Sequence, residues 1–492
     1  MKKLLSLALG LTFVAAIISG CKDDTSDPIT PDRVQTDTTN TTNQNGTTNP
    51  NDQTDTIQQP ITPQTYNVTV KLIAESVSFE NFTINISQDT MLTLTPNNDG
   101  IISAQLFEGK YNISASGKIS EKGRVYNFSG KINDLEITSS FDTTQIYEIN
   151  LDKVEKNQII ITEVYCGNST YYDEKNEKNV TLQKDKYIKL YNNSDQPAEI
   201  KNFCFGICFP YMSNNTVGSI TVTNYSAEGY TPATQGIWWI DEIKFEPYEE
   251  KVFVVYSAED YTSLGGVNLD NSKYYCLIDM TSAFNQKSFY TEPSADKVKL
   301  NVQIYGLGNA WQIGQAPALF IFTTGEVSPA DFANDAANQI NLQGTDWGTF
   351  GSSLKIPNAN IIDGVDIKNA TCTYKNDGSL ISDNSTKYAQ RLPDAVDKGF
   401  VNQTETGKGF SYYRNVDKDA TSALTENEGK LVSGYSYGTE TLTNGEGTAS
   451  GSTDPSGIDA EASIKKGAHI IYQDTDNSSV DFHQRKQATL KD

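Results

Sequence analysis

Asp417, Asp419 and Thr421, with Glu428 downstream, put oxygen side chains at positions 1, 3, 5 and 12 of a loop, and Thr425 supplies position 9. That spacing resembles a calcium loop, so calcium is the cofactor the sequence suggests. Ser422 stands at position 6, where the turn of such a loop needs glycine, and helix-forming flanks are missing. An ordinary acid-rich surface loop gives the same spacing. Asp474-Thr475-Asp476-Asn477-Ser478 is a second acidic cluster.

Trp238-Trp239 suggests other chemistry. Neighbours on a strand point to opposite faces, so both indoles cannot enter one core. One is either a stacking platform for a sugar or another flat ligand, or is covered by a further layer. Trp311 and Trp347 are weaker candidates of the same kind. Cys204 and Cys208 bracket "CFGIC". On a straight strand residues four apart lie about 13 Å from each other, too far for a disulfide, but a bend at Gly206 would close the gap. The pair is therefore either two buried small side chains or a disulfide. Zinc is disfavoured, because His469 and His483, the only histidines, lie far along the chain.

The same scarcity argues against nucleophilic catalysis, which needs a base beside the nucleophile. His469 reads as strand-embedded and His483 as exposed. No H-E-x-x-H occurs, and "GLGNAW" lacks the third glycine of a dinucleotide loop. Paired carboxylates remain as material for glycoside hydrolysis among 62 acids. With no catalytic set in view, the expectation is a non-enzyme.

The elements that must carry these residues begin after a targeting segment. Lys2 and Lys3 precede an apolar run from Leu4 to Ile18, shorter than a spanning helix and typical of a secretory signal. Ser19-Gly20-Cys21 resembles a bacterial lipobox, which implies cleavage after residue 20 and acylation of Cys21. Three acyl chains exceed what stable anchoring needs. Lys22-Asp23-Asp24 resembles a surface-export signal of lipoproteins, so the expected place is the outer membrane facing the exterior, with the periplasmic face as the alternative. Residues 21–65 hold no aromatic until the folded sequence begins near Tyr66, and should form a disordered tether with a mean reach of about 35 Å. Formal charge is −23, and loss of residues 1–20 with both lysines makes it −25. Such an excess repels nucleic acid and favours neutral or cationic partners.

From Tyr66 on, the sequence reads as all-β, with two antiparallel β-sandwich domains over 66–152 and 153–492. Tyr66, Val68, Val70 and Leu72 alternate with polar neighbours, as do Phe82, Ile84 and Ile86, then Tyr111, Ile113 and Ala115, and a closing run Ile146–Leu151. "NNDGIISAQLFEGKYNISASG" resembles the carboxypeptidase-regulatory, prealbumin-like repeat, with turns at Asp99-Gly100 and Gly109. That resemblance implies a small sandwich serving as a spacer. "IIITEVYCGN" and "KYIKLYNNSDQPAEIKNFCF" resemble the opening strands of a lamin-tail-like sandwich, whose usual acidic residue in the second strand is here Lys189. Short helices are expected after Ser257, with Asp260 at the third helical position, and at Ser328-Pro329-Ala330-Asp331. Residues 433–457 are Gly/Ser/Thr-rich and read as a mobile loop.

The ordered series "IPNANIIDGVDI", "RLPDAVDKGF", "GFSYYRNVD" and "DTDNSSVDF", with the lamin-tail-like start, resembles the uncharacterised lipoprotein family numbered 4876 among domains of unknown function. The resemblance implies cell-surface context and companionship with outer-membrane nutrient transporters, not a reaction. The expected function is thus a surface lipoprotein that binds a ligand or partner for a TonB-dependent-type uptake system. An adhesin or fimbria-like structural protein and a carbohydrate-active hydrolase are the alternatives.

Overall fold

Tyr66, Val68, Val70 and Leu72 turn their side chains into one core because every second residue of the strand Thr65–Ile73 faces it. The structure is a computed structural model, and it describes residues 64–88, 90–167, 169–209, 228–278, 290–305, 316–342, 352–369, 391–403, 409–433, 440–443, 446–449, 454–485 and 487–490. Cys21, the tether up to residue 63, Trp311, Trp347 and Cys372 lie outside these described residues.

The first sandwich packs a three-stranded sheet, ordered Ile101–Phe107, Thr65–Ile73, Ile146–Asn150, on a five-stranded one. The latter is ordered Met91–Leu94, Phe82–Ser87, Gly109–Glu121, Arg124–Ile137, Asp152–Asn157. The expected turn at Asp99-Gly100 forms: Asn97 Oδ1 accepts from the backbone N–H of Asp99 at 3.0 Å and of Ile101 at 2.9 Å. Gly100 has φ +76° there, and a Cβ would meet Phe79 at 2.9 Å, so glycine is required twice over. The closing strand Ile146–Asn150 pairs parallel to Thr65–Ile73, not antiparallel as the alternation suggests. Alternation reports which face is buried; it carries no information about strand direction.

Asp152–Asn157 pairs with Arg124–Ser129 of the first sandwich and runs straight into Ile159–Tyr165 of the second. The described residues therefore sit in one compact unit, within Pro63–Asp492. At the junction Gln158 N–H donates to Gly123 O at 2.7 Å, Arg124 Nη2 to Ile361 O at 2.7 Å, and Lys118 pairs with Asp195 at 2.7 Å.

The second region packs a nine-stranded sheet on a six-stranded one. The nine run Val298–Lys299, Tyr275–Cys276, Glu250–Val254, Tyr187–Asn192, Ile159–Tyr165, Ser411–Arg414, Phe482–Arg485, Glu440–Thr443, Glu446–Ala449. The six run Asn301–Ile304, Gly236–Phe245, Ala198–Ile207, Ala318–Thr323, Ile361–Asn369, Val401–Gln403. Between them lies the main core, with Ile161, Leu190, Phe203, Phe205, Trp238, Phe253 and Val365. Both sheets are also covered on their outer faces. A three-stranded layer and a short helix close over the six-stranded sheet, and C-terminal segments close over the nine-stranded one. This explains strands such as Ile159–Tyr165 that are buried at every position.

Within 433–457, read above as a mobile loop, Glu440–Thr443 and Glu446–Ala449 form an antiparallel hairpin on the sheet edge. The helix Pro329–Asn334 starts as its sequence predicts: Ser328 Oγ accepts from Asp331 N–H at 3.1 Å with Pro329 in the first turn. The helix expected after Ser257 does not form. Ser257 is buried, and only a 3-10 turn over Thr262–Leu264 follows, because Asp260 Oδ1 ties back the N–H of Thr262 at 2.9 Å. Among the described residues no helix is long and apolar enough to cross a membrane.

Candidate functional site

A cleft of about 450 Å³ opens on the outer face of the nine-stranded sheet. Its floor comes from neighbouring strands. Lys189 and Tyr191 lie on Tyr187–Asn192, and Glu250 starts the adjacent Glu250–Val254, directly opposite Tyr191 in the register. A continuous rung crosses the sheet from Lys189 to Glu163, Tyr413 and His483, so these four side chains project from one face. A register shift at Thr162 lets Glu163 join that face from an otherwise apolar strand. The walls are Tyr248, the loop Asn268, Asp270, Asn271 and Tyr274, the short helix Ala460–Lys465 with Glu461 in its first turn, and Thr489 and Leu490.

The polar groups form one buried network. Lys189 Nζ is 2.9 Å from Glu250 Oε1 and 3.7 Å from Glu163 Oε2, with 5% of its side chain exposed. Glu163 also accepts hydrogen bonds from the hydroxyls of Ser411 and Thr489 and from Thr489 N–H. Arg485 Nη1 donates to Glu461 Oε1 at 2.9 Å, and Arg485 lies 3.7 Å from Asp454, with its guanidinium 3.5 Å from the Tyr413 ring centre. Burial disfavours the Lys189 ammonium, but Glu250 and Glu163 more than offset that and hold its pKa above the ordinary lysine range. Burial raises the Glu250 carboxyl, with Lys189 opposing, and likewise raises Asp454 against Arg485. Burial works on Glu461 too, yet Arg485 and Lys189 prevail and lower it.

The histidine expectations are reversed. His483 is fully buried, its Nε2 accepting from Arg485 Nε at 2.8 Å and its Nδ1 facing Asn415 Oδ1 at 2.5 Å. Burial and Arg485 push its pKa well below the usual value, so it is neutral and cannot serve as a mobile base. His469 is the half-exposed one, stacked on Tyr248 with ring centres 4.3 Å apart.

The residues of the calcium-like loop are put to other uses. Asp417 caps the helix Lys418–Ala423 by accepting from Ala420 N–H at 3.0 Å. Thr421 is buried, and its hydroxyl donates to Ile471 O and accepts Ile471 N–H. Asp419 and Glu428 are exposed. A helix capped by Asp417 cannot wrap an ion, and among the described residues no three His, Cys, Asp or Glu side chains are grouped so as to hold a metal ion. The acidic cluster Asp474–Ser478 instead helps enclose Arg414, which lies 2.7 Å from Asp363, 3.0 Å from Asp474 and 3.7 Å from Asp481.

Trp238 and Trp239 do face opposite ways, and both are covered. Trp238 enters the core between the sheets, and Trp239 lies under the outer layer with 8% exposure, donating to Asp241 Oδ1 at 3.2 Å. Neither offers a stacking platform. Cys204 and Cys208 are unpaired, since the strand Ala198–Ile207 stays extended. Cys204 Sγ donates to Asn202 O at 3.2 Å and Cys208 Sγ to Arg391 O at 2.9 Å.

The cleft residues Glu250, Tyr413 and Glu461, and the buried Glu163 and Arg485 that bond to the lining, escape a reading by motif. A signal was present in "IIITEVY" and "YIKLY", where Glu163 and Lys189 stand inside runs apolar enough to bury both faces.

No protein-family model and no curated protein sequence matches the chain. Among solved structures it is similar to a DUF4876 family protein from Bacteroides thetaiotaomicron, at 16% identity and a TM-score of 0.49, over 85% of this chain and 94% of that one. That family number is the one the ordered motifs resemble. It is also similar to a DUF3823 family protein from Parabacteroides merdae, at 12% identity and a TM-score of 0.14, over 30% of this chain and 67% of that one.

Proposed function

We propose that the protein is an outer-membrane lipoprotein, anchored through Cys21 and facing the exterior, that binds a small ligand without converting it and serves an outer-membrane uptake system. The observation that carries the binding reading is the cleft itself. It is open and tyrosine-lined, yet the acids and bases in it and buried beneath it are held by one another: Lys189 by Glu250, Glu461 by Arg485, and Glu163 by two hydroxyls. The four described thiols are buried. The anchor and the tether rest on the N-terminal sequence.

Crosslinking on intact cells followed by pull-down through this protein tests the uptake role. Recovery of an outer-membrane barrel supports it, and repeated recovery of none removes it. Release of the Cys21→Ala form from membranes, and digestion of the native protein by protease added to whole cells, test the anchor and its orientation.

A second reading, a carbohydrate-active hydrolase, draws on Glu250 and Glu461 sharing the cleft. Turnover of a polysaccharide that Glu461→Gln abolishes would favour it over simple binding.

A further inference from the structure

The charge balance around the cleft is uneven. Four carboxylates, the buried Glu163 and Asp454, the nearly buried Glu461 and the partly exposed Glu250, face two cations, Lys189 and Arg485. At the rim Asp270 is matched by Lys297 at 2.6 Å, and Lys465 adds one further positive charge. Glu461 is engaged through Oε1, while its Oε2 is buried and accepts no hydrogen bond. The Tyr413 hydroxyl reaches Glu461 and also shares a hydrogen bond with Tyr472 Oη at 2.8 Å in which either oxygen can donate, so Glu461 competes with Tyr472 for that one proton. Buried carboxylates without matching charge are costly, and an added cation would relieve them. The cleft is also lined by Tyr191, Tyr248, Tyr274 and Tyr413, whose ring faces attract cations.

We propose that this cleft recognises a small organic molecule through a protonated primary amine, seated between Glu250 and Glu461 and flanked by the tyrosines. A metal ion is the poorer fit, because the carboxylates do not converge as a ligand set. An ammonium group needs only two or three acceptors and an aromatic wall. An amino sugar and an alkyl diamine share this chemistry. The inference rests on the cleft being the binding site of the proposed carrier, and it narrows what is carried.

Calorimetric titration of the detergent-solubilised full chain decides it, using glucosamine and cadaverine against N-acetylglucosamine and glucose. At least one amine should bind at about millimolar strength or tighter, and its neutral counterparts at least roughly tenfold more weakly. Tighter binding of glucosamine or of cadaverine tells a sugar from an alkyl carrier. Glu461→Gln should weaken amine binding roughly tenfold or more, and Tyr274→Ala, at the half-buried rim, should weaken it in a chain whose circular dichroism is unchanged. Binding of the neutral sugars as tight as the amines would keep the carrier reading and overturn the amine. Amine binding unaltered in both folded variants, or no amine binding at all, would also overturn it. None of these outcomes depends on recovering a transporter.

Discussion

The Lys189 ammonium and the Glu250 carboxylate lie 2.9 Å apart on adjacent strands at the floor of the cleft, and Glu163 reaches the same ammonium from the other side. One lysine thus neutralises charge from both flanking strands. Its removal would leave the buried Glu163 and the partly exposed Glu250 without their cation. Lys189→Met should cost about 3–5 kcal/mol in unfolding free energy, and a Lys189→Met/Glu250→Gln pair should recover part of that loss. Urea unfolding of the two chains measures it; equal stability of Lys189→Met and the parent would show that the lysine is not needed for charge balance.

Arg414 should matter more than any exposed pair. Its side chain is 2% exposed among Asp363, Asp474 and Asp481, whereas Lys118 and Asp195, at the junction of the sandwiches, are nearly half exposed. Arg414→Met is expected to destabilise by about 3–5 kcal/mol, and Lys118→Ala by less than about 1 kcal/mol. Denaturant midpoints for both variants check the ordering.

The thiols should be inert in the folded chain. Burial pushes Cys166 up to about 12 and lifts Cys204, Cys208 and Cys276 as well. Iodoacetamide at pH 8 should leave these four unmodified until denaturant is added, read by peptide mass spectrometry. A Cys204–Cys208 disulfide-linked peptide from native protein would contradict the structure.

Lys186 gives a pH dependence of definite sign. Burial pulls its pKa down to about 8, against the upward pull of Asp185. Unfolded lysine titrates near about 10.4. Below pH 8 both states hold the proton; above it the unfolded chain binds more protons, so this group makes stability rise with pH. The slope is at most about 1.4 kcal/mol per pH unit and ends near pH 10. Lys186→Met should flatten the rise between about pH 8 and 10, measured from urea midpoints. An identical slope in parent and variant would assign the effect to other groups.

The strand alternation from Tyr66 to Ala115, the Asp99-Gly100 turn, the Ser328 cap and the Ile159–Tyr165 and Tyr187–Asn192 strands were all legible in the sequence. Each depends on residues a few positions apart, whose geometry the backbone fixes locally. The same local logic misread Asp417, Asp419, Thr421 and Glu428, because oxygen spacing along a chain does not say whether that chain coils into a helix or wraps around an ion. It also left Trp239 and His483 open, since whether a face is covered depends on layers contributed from elsewhere.

What the sequence determined alone was the all-β class of fold and, for half-buried strands such as Thr65–Ile73, the face that is buried, through the two-residue period of a strand. The cleft was decided only by tertiary structure. Glu163 meets Thr489 across 326 residues, and Glu250 and Glu461 line one cleft through an order of strands that no local pattern encodes. Charges inside apolar runs are tolerated only where distant partners arrive to neutralise them, and that arrival is a property of the closed fold.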